Sequence, residues 1–519
     1  MLLISARADF RKETAVFKIL DARAAIDLVP DNACIGINSF LSLSNPEVLH
    51  RALMQRYAET GSPGNLHLYC ASGFGGWDER RFADPYIEAG AVRRITAGHY
   101  ASMPVAVRKA LANEIEAYNL PLGVLSHAIR AAASGQPGLL SEVGLNIFAD
   151  PRVGCLGMNE RSRRQLVELV HIQGREYLYY ETPKFDIAFI KGTSVDPNGN
   201  ISFEREYLTV DALSLAQATK SAGGRVIVQV DQVSHTFQRP RSVIIPGILV
   251  DAVVVAEAKD VADVYHPTMS GDVHVPPTHM DYFMSKLPAS RKRAASEDAS
   301  PDIIGERAAH ELRAEQVVNI GIGIPEMAGK YASKLGILKD IVTTVESGGI
   351  GGLPAPGVAF GATIGADMIC DMASQFDFYD GGGLDICFMG GLEVDAEGNV
   401  NSHVSTSGFV GIGGFANITG ATKNVVFCLT FTAKGLKTQR TGAGMVVESE
   451  GSIRKFRKKI AGVSFSAKNA LRRGQRVLYV TERCVFELTP DGIKLREVYD
   501  GIDAQTQIAD LLDFPLQRL

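Results

Sequence analysis

The chain has 519 residues, 46% of them hydrophobic and 21% charged, with a formal net charge of −5. That length exceeds what one hydrophobic core supports, so two domains or more are expected. A charge this small over such a length gives no electrostatic basis for binding nucleic acid or an anionic membrane surface.

Glycine is frequent at 52 residues, against a usual share of about 7%, which suits many turns and ligand loops. Seven cysteines (34, 70, 155, 370, 387, 428 and 484) are scattered without a CxxC pair. An odd count without framework spacing points to a reducing compartment, with Cys370, Cys387 and Cys428 as small buried hydrophobes. The opening MLLISARADFRKET has too short an apolar run for a secretory signal. The most apolar tract, VIIPGILVDAVVVAEA, carries Pro246 and Asp251 and does not make a membrane span. A cytoplasmic protein is expected. The 11 histidines show no ligand spacing, so no metal is expected.

In chain order, Pro104–Asn119 and Val124–Ser134 read as helices. Strands are expected at Phe185–Lys191, Val226–Asp231 and Ile248–Ala256, with a crossover helix over Glu206–Ala222. The stretch SKLPASRKRAASEDASP (285–301) has linker composition and divides the chain. The domains are placed at 1–285 and 302–519, with a linker at 286–301. The second part opens with a helix over Asp302–Glu315 and a strand over Gln316–Ile320, and Pro325 starts the next helix. Strands follow at Ile341–Val345, Leu384–Met389, Val425–Phe431 and Val477–Thr481, with a final helix near Ile502–Asp513. This alternation predicts an α/β fold with parallel-rich sheets in both halves.

The halves are related to each other. DIAFIKGTSVDPNGNIS (186–202) and DICFMGGLEVDAEGNVN (385–401) share eight of 17 positions at a constant offset of 199. Each is an apolar strand followed by a Val-Asp-x-x-Gly-Asn turn, which points to a duplicated domain.

One acid stands out. In IVTTVESGGIGG (341–352) a β-branched run ends at Glu346 and then passes into glycines. Ligands in open α/β sheets sit beyond the carboxyl ends of strands, so Glu346 is held at the mouth of a site on rigid support. From the residues alone it reads as a nucleophile, a ligand contact or a surface charge at a strand end. The run 411–416 fits G-x-G-x-x-A, but no clean strand precedes it and no acid stands ~20 residues on, so the dinucleotide reading is weak. His403, in GNVNSH, reads as structural or functional with equal weight.

VESGGIGGLPAPG, QFDFYDGGGLD, VDAEGNVN and GIGGFANI, with NIGIGIP (319–325), resemble the second half of the single-chain family I coenzyme A transferases. ETGSPGNL, EAYNLPLGVLSHAIRA and VGLNIFADPR resemble their first half, so the likeness covers nearly the whole chain. It implies two related α/β CoA-transferase domains with the site between them. It also implies transfer of CoA between a short-chain acyl-CoA and a carboxylic acid, with Glu346 as nucleophile and Gly414 as a backbone N–H donor to the oxyanion. By its ordinary pKa near ~4.3, such a glutamate would be ionised without a partner base. Two places depart from the family pattern. Pro121-Leu122-Gly123 stands where the family has Pro-Gln-Gly, and Asn38-Ser39-Phe40 stands where it has a Gly-Gly-Phe loop. Asn38, Ser39 or the SGFGG loop (72–76) are candidate replacements for the lost glutamine donor.

Asn38, Ser39, Phe40, Gly413, Lys434 and Lys437 are therefore candidate substrate or CoA contacts, the lysines as phosphate partners. The resemblance implies a homodimer or homotetramer, with no cofactor beyond CoA itself. The alternatives are a thioester hydrolase, in which water intercepts the intermediate, and a CoA-binding paralogue that does not turn over.

Overall fold

The structure is a computed structural model that describes residues 17–257, 298–355, 359–405, 408–442 and 444–519. Most of the expected linker 286–301 lies outside the described residues.

The first lobe is built on a ten-stranded sheet. Its main strands and helices, in chain order, are β1 (Lys18–Ile19), β2 (Cys34–Ile37), α1 (Glu47–Thr60), β3 (Leu66–Cys70), β4 (Val92–Ala97), α2 (Pro104–Leu111), β5 (Glu116–Asn119) and α3 (Leu122–Ala133). A ribbon of β6 (Val167–Ile172) and β7 (Arg175–Glu181) precedes β8 (Ile187–Val195), α4 (Ala212–Ser221), β9 (Arg225–Val233) and β10 (Ala252–Val255). The strand order is β1-β10-β9-β8-β2-β3-β4-β5, every neighbouring pair parallel. A central parallel strand is covered on both faces, and accordingly all nine residues of β8 are buried.

The second lobe opens with α5 (Ser300–Ala309), two residues before the expected start, and β11 (Val317–Ile320). Then come β12 (Val342–Thr344), β13 (Gly349–Ile350), β14 (Met368–Ile369), α6 (Met372–Asp380), β15 (Ile386–Met389), α7 (Phe415–Ala421), β16 (Asn424–Cys428), β17 (Arg476–Val480), β18 (Cys484–Thr489) and β19 (Gly492–Val498). They form a nine-stranded sheet ordered β14-β13-β12-β11-β15-β16-β17-β18-β19, with β12 through β17 parallel and antiparallel margins.

The internal repeat is visible in the bonding. Asp186 takes the Cys34 N–H at 2.7 Å at the start of β8, and Asp385 takes the Val317 N–H at 3.0 Å at the start of β15. In the turns that follow, Asp196 accepts from the backbone and side chain of Asn200 at 3.0 Å each, and Asp395 does the same with Asn399 at 2.8 and 3.0 Å. Gly199 and Gly398 take φ of +80° and +94°, a region that favours glycine. The two lobes are copies of one βα design, with β2 equivalent to β11.

Two expected helices are corrected. Pro104–Asn119 is a helix only to Leu111. Asn113 takes φ of +57°, and Glu116–Asn119 then pairs with β4 as an edge strand. Ala117, Tyr118 and Asn119 are all buried in that strand. The final helix near Ile502–Asp513 is a series of turns with one 3₁₀ segment, Ala509–Leu511.

A single apolar cluster runs from Phe40 and Leu122 through Phe376 and Phe415 to Leu512, so the lobes share a core. Polar bonds edge that seam. The Gly123 N–H donates to Asn417 Oδ1 at 3.2 Å, Asn417 donates to both Asp380 oxygens at 2.9 and 3.1 Å, and Arg130 pairs with Asp377 at 2.7 Å. A Cβ at Gly123 would lie 2.4 Å from Asn417 Nδ2 and 2.6 Å from Phe376. Gly123→Ala should therefore destabilise the chain by about 1–3 kcal/mol, through overpacking of the seam, in a denaturant titration.

Candidate active site

β12 ends at Thr344, and the chain turns back at once. Val345 N–H donates to Gly349 O at 2.8 Å, and Gly348 N–H donates to Val345 O at 3.0 Å. Glu346 and Ser347 form the tip of this turn, on the edge of the sheet where β11, β12 and β15 all end. Ser347 Oγ donates to Gly361 O, which fixes the tip to the chain that returns after it.

The support beneath comes from a motif singled out in the sequence, QFDFYD. Tyr379 OH donates to Thr344 Oγ1 at 3.0 Å, and Asn319 Nδ2 donates to Tyr379 OH and Thr344 O at 3.2 Å each. Asp380 carries the Asn417 bonds, and Phe376 packs at Gly123. Tyr379, Asn319 and Asn417 were missed as individual residues in the sequence. Their signal was the motifs that hold them, QFDFYD for Tyr379, NIGIGIP for Asn319 and GIGGFANI for Asn417, whose polar positions serve the strand end and the seam.

Glu346 keeps part of its side chain open to solvent. The surrounding protein nevertheless pushes its carboxyl up to about 7, through desolvation of the charged form. This corrects the sequence expectation of an ordinary, fully ionised glutamate. The nucleophilic form is the carboxylate, so kcat/KM for an acyl-CoA should fall tenfold per unit as pH drops below about 7 and level off above it. Initial exchange rates from pH 5 to 9 would check this, and an ordinary glutamate would instead leave the rate flat down to about pH 5.

Facing the acid is the loop 410–414, clamped by the other lobe. Val410 O accepts from Tyr100 N–H at 2.9 Å and Ala101 N–H at 3.0 Å. Ile412 N–H donates to Asn119 Oδ1 at 2.9 Å, Gly413 N–H to Gly98 O at 2.8 Å, and Leu122 N–H to Gly413 O at 2.9 Å. Asn119 also donates to Ala97 O and Gly98 O, at 2.9 and 2.8 Å. The next residue, Gly414, precedes α7, and its N–H donates to no protein acceptor among the described residues. A Cβ there would stand 3.1 Å from Glu346 Cδ and 3.4 Å from Oε1. Gly414 is thus brought to Glu346 with its N–H free of any acceptor among the described residues, while Gly413 is engaged with the first lobe.

The other candidates are placed as follows. Asn38 and Ser39 are buried, and their side chains are engaged within the first lobe: Asn38 bonds Thr209 O and Asp211 N–H at 3.3 and 2.9 Å, and Ser39 bonds Gly73 O at 2.8 Å. Phe40 reaches the second lobe, 6.2 Å from the Phe360 ring and against Gly361, beside the anchor of Ser347. Leu122 is buried, and its bond to Gly413 O is a backbone one. Lys434 and Lys437 are exposed on the segment that leaves β16, three strands along the same edge from Glu346. His403 is a support: its carbonyl accepts from Val410 and Gly411 N–H at 3.0 and 3.2 Å, and its ring stacks on Phe148 at 4.2 Å. Cavities of 290 and 380 Å³ are lined by other residues than Glu346. Among the described residues no cluster suits a metal ion, and no helix is long and apolar enough to cross a membrane.

Comparison with known proteins returns one consistent description. Residues 19–256 match the family model described as coenzyme A transferase. The chain is 38% identical over 503 residues to acetate CoA-transferase YdiF of Escherichia coli K12, covering 96% of this chain and 92% of that one. It is 37% identical over 508 residues to caffeate CoA-transferase of Acetobacterium woodii, covering 96% and 94%. The crystal structure of the E. coli O157:H7 acyl-CoA transferase YdiF, as a thioester complex with CoA, superimposes with a TM-score of 0.88 at 36% identity, covering 97% of this chain and 94% of that one.

Proposed function

Since the chain belongs to the coenzyme A transferase family, we propose that it transfers CoA between a short-chain acyl-CoA and a carboxylic acid by a ping-pong route through Glu346. The observation that carries this reading is the Glu346 carboxyl set against Gly414, whose N–H is free.

The Glu346 carboxylate attacks the thioester carbonyl carbon. The carbonyl oxygen takes up negative charge, the C–S bond breaks, and CoA leaves as a thiolate. The product is an anhydride between the acyl group and Glu346. The thiolate then attacks the glutamyl carbonyl, so that a glutamyl-CoA thioester forms and the first acid departs as its carboxylate. A second carboxylate runs these steps in reverse and leaves as its CoA ester. No net proton is consumed in this scheme.

The hard moment is charge growth on the thioester oxygen. A fixed backbone donor is suited to it because it costs no reorganisation, and loss of one such donor typically costs about 2.7–4 kcal/mol. The clamping of 410–413 by Gly98, Asn119, Tyr100 and Leu122 supplies that fixity. The raised pKa of Glu346 also fits a nucleophile, since desolvation makes the carboxylate more reactive toward the thioester carbonyl. The acetate and caffeate relatives support a monocarboxylic acid as the acceptor. A homodimer or homotetramer completes the proposal.

The test is brief incubation with acetyl- or propionyl-CoA, then proteolysis and mass spectrometry. The CoA mass should appear on the peptide that contains Glu346, and adding an acceptor acid should discharge it. Exchange that proceeds with no adduct at that peptide would overturn the scheme.

A further inference from the structure

A second constellation lies near the start of β2, β3 and β4 and not at the edge that carries Glu346. Residues two apart on a strand share a face, so His67 and Tyr69 on β3 stand beside Arg94 and Thr96 on β4, in the register His67↔Arg94 and Tyr69↔Thr96. The segment leading into β6, and the chain just past β7, cover this face and leave a cavity of 380 Å³. That is within the ~300–1,000 Å³ of small-molecule sites, at the low end.

Its charge is one-sided. Arg94, Arg164 and Lys184 line it, and Glu181 is the one carboxylate that does so. Arg94 is largely buried, with its guanidinium 5.4 Å from the Tyr118 ring, and the carboxylate it bonds, Glu116 at 2.7 Å, is shared with Arg93 at 2.9 Å. Arg164 is half-exposed and leans on Glu181 at 2.5 and 2.7 Å, while its backbone N–H is fixed to Tyr118 OH at 2.9 Å. Lys184 is exposed and forms no ion pair among the described residues. The Tyr69 hydroxyl makes no hydrogen bond among the described residues either. An exposed ion pair is worth at most about 1 kcal/mol, so the Arg164 guanidinium can turn toward a ligand at small cost.

The cavity also contains a cysteine–histidine contact, which has a different meaning. Cys34 Sγ lies 3.4 Å from His67 Nδ1, and His67 Nε2 lies 3.0 Å from Thr96 Oγ1. Burial, with Asp186 nearby, pushes the thiol up to about 12, and burial followed by Arg94, Arg93 and Arg164 pushes the imidazole down to about 3. Both groups are neutral at physiological pH, so this is no thiolate nucleophile.

Arg93 and Arg94 share Glu116, Arg164 holds Glu181, Asp186 stands beside Cys34 and Lys184 forms no ion pair among the described residues, so four cations face three carboxylates and leave a net charge of +1. Low-dielectric walls focus such a field, and guanidinium groups bind phosphate or carboxylate oxygens in pairs. We propose that this cavity is a binding site for a small anion, a phosphate or a short dicarboxylate, separate from the acyl-transfer site.

The experiment is titration calorimetry of the full chain at low salt and pH 7.5, with inorganic phosphate in one arm and malonate in the other. Wild type is compared with the double variant Arg164→Gln/Lys184→Gln, whose changed side chains are exposed and leave the apolar core untouched. At least one anion should saturate one site per chain, whichever arm does so naming the ligand chemistry. The double variant should weaken Kd at least about tenfold while keeping its thermal midpoint and CoA exchange. Saturating CoA should leave the anion's heat in place. No saturation by about 20 mM of either anion would overturn the proposal. So would equal binding by the double variant, or displacement by CoA, which would assign the anion to the CoA site.

Discussion

Glu346→Gln is expected to abolish CoA exchange, by a factor on the order of 10⁴ or more, and at the same time to make the folded chain more stable above neutral pH. An amide is nearly isosteric with the carboxyl but does not form the anhydride or the thioester, so the covalent route is closed and no second nucleophile stands beside Gly414. The stability gain follows from the carboxyl's raised pKa of about 7. A folded-state pKa above the unfolded value means that the folded chain holds this proton more tightly. Stability contributed by the protonated acid is complete below the unfolded value and is lost as pH rises through about 7. Glutamine removes that loss. The variant's advantage should be about 1–2 kcal/mol at pH 8, moderated because the side chain is partly open to water, and should vanish near pH 4. Thermal unfolding at the two pH values would check it. An equal advantage at both would mean that the effect is packing and not charge.

Gly414→Ala is expected to lower kcat by about 10²-fold, with little change in KM for the acyl-CoA and a stability change below about 1 kcal/mol. The backbone of Gly414 is right-handed, at φ −78° and ψ −5°, so alanine suits it without strain. What the methyl meets is Glu346 Cδ at 3.1 Å and Ile418 Cδ1 at 3.2 Å. The carboxyl is the mobile partner and gives way, which moves the attacking oxygen from its place beside the free N–H. Misplacement by a fraction of an ångström to an ångström is costly in a reaction that depends on near-contact of the reacting atoms. A variant with unchanged kcat would show that Glu346 acts in another rotamer, away from this donor.

Much of this was legible beforehand for identifiable reasons. The runs that became β9 and β12 are rich in β-branched residues, and the repeated Asp-x-x-Gly-Asn turn closes its own hydrogen bonds, so local chemistry dictates both. The location of Glu346 followed from a strand end that meets glycines. What was hidden depends on the other lobe. EIEAYN (114–119) continues a helical pattern until one knows that Asn113 turns left-handed and that the β4 edge is vacant. Asn119 and Asn417 look like ordinary polar residues, and only docking shows them holding the loop at Ile412 and the backbone of Gly123. The candidate donors Asn38 and Ser39 occupied the right place in the motif, yet their hydrogen bonds turn inward, where the start of α4 and the SGFGG loop need them. The shifted pKa of Glu346 was equally out of reach, because desolvation belongs to the assembled site and not to the residue.

The clamp on residues 410–413 ties reactivity to the order of assembly. Besides the bonds to His403 in its own lobe, its hydrogen bonds come from Gly98, Tyr100, Ala101, Asn119 and Leu122, all in the first lobe, whereas the acid it faces belongs to the second. A second lobe taken without the first would therefore hold its glutamate without these first-lobe bonds opposite. Docking of the two lobes is thus expected to be what completes the donor, so that the acid and the loop it faces become competent together.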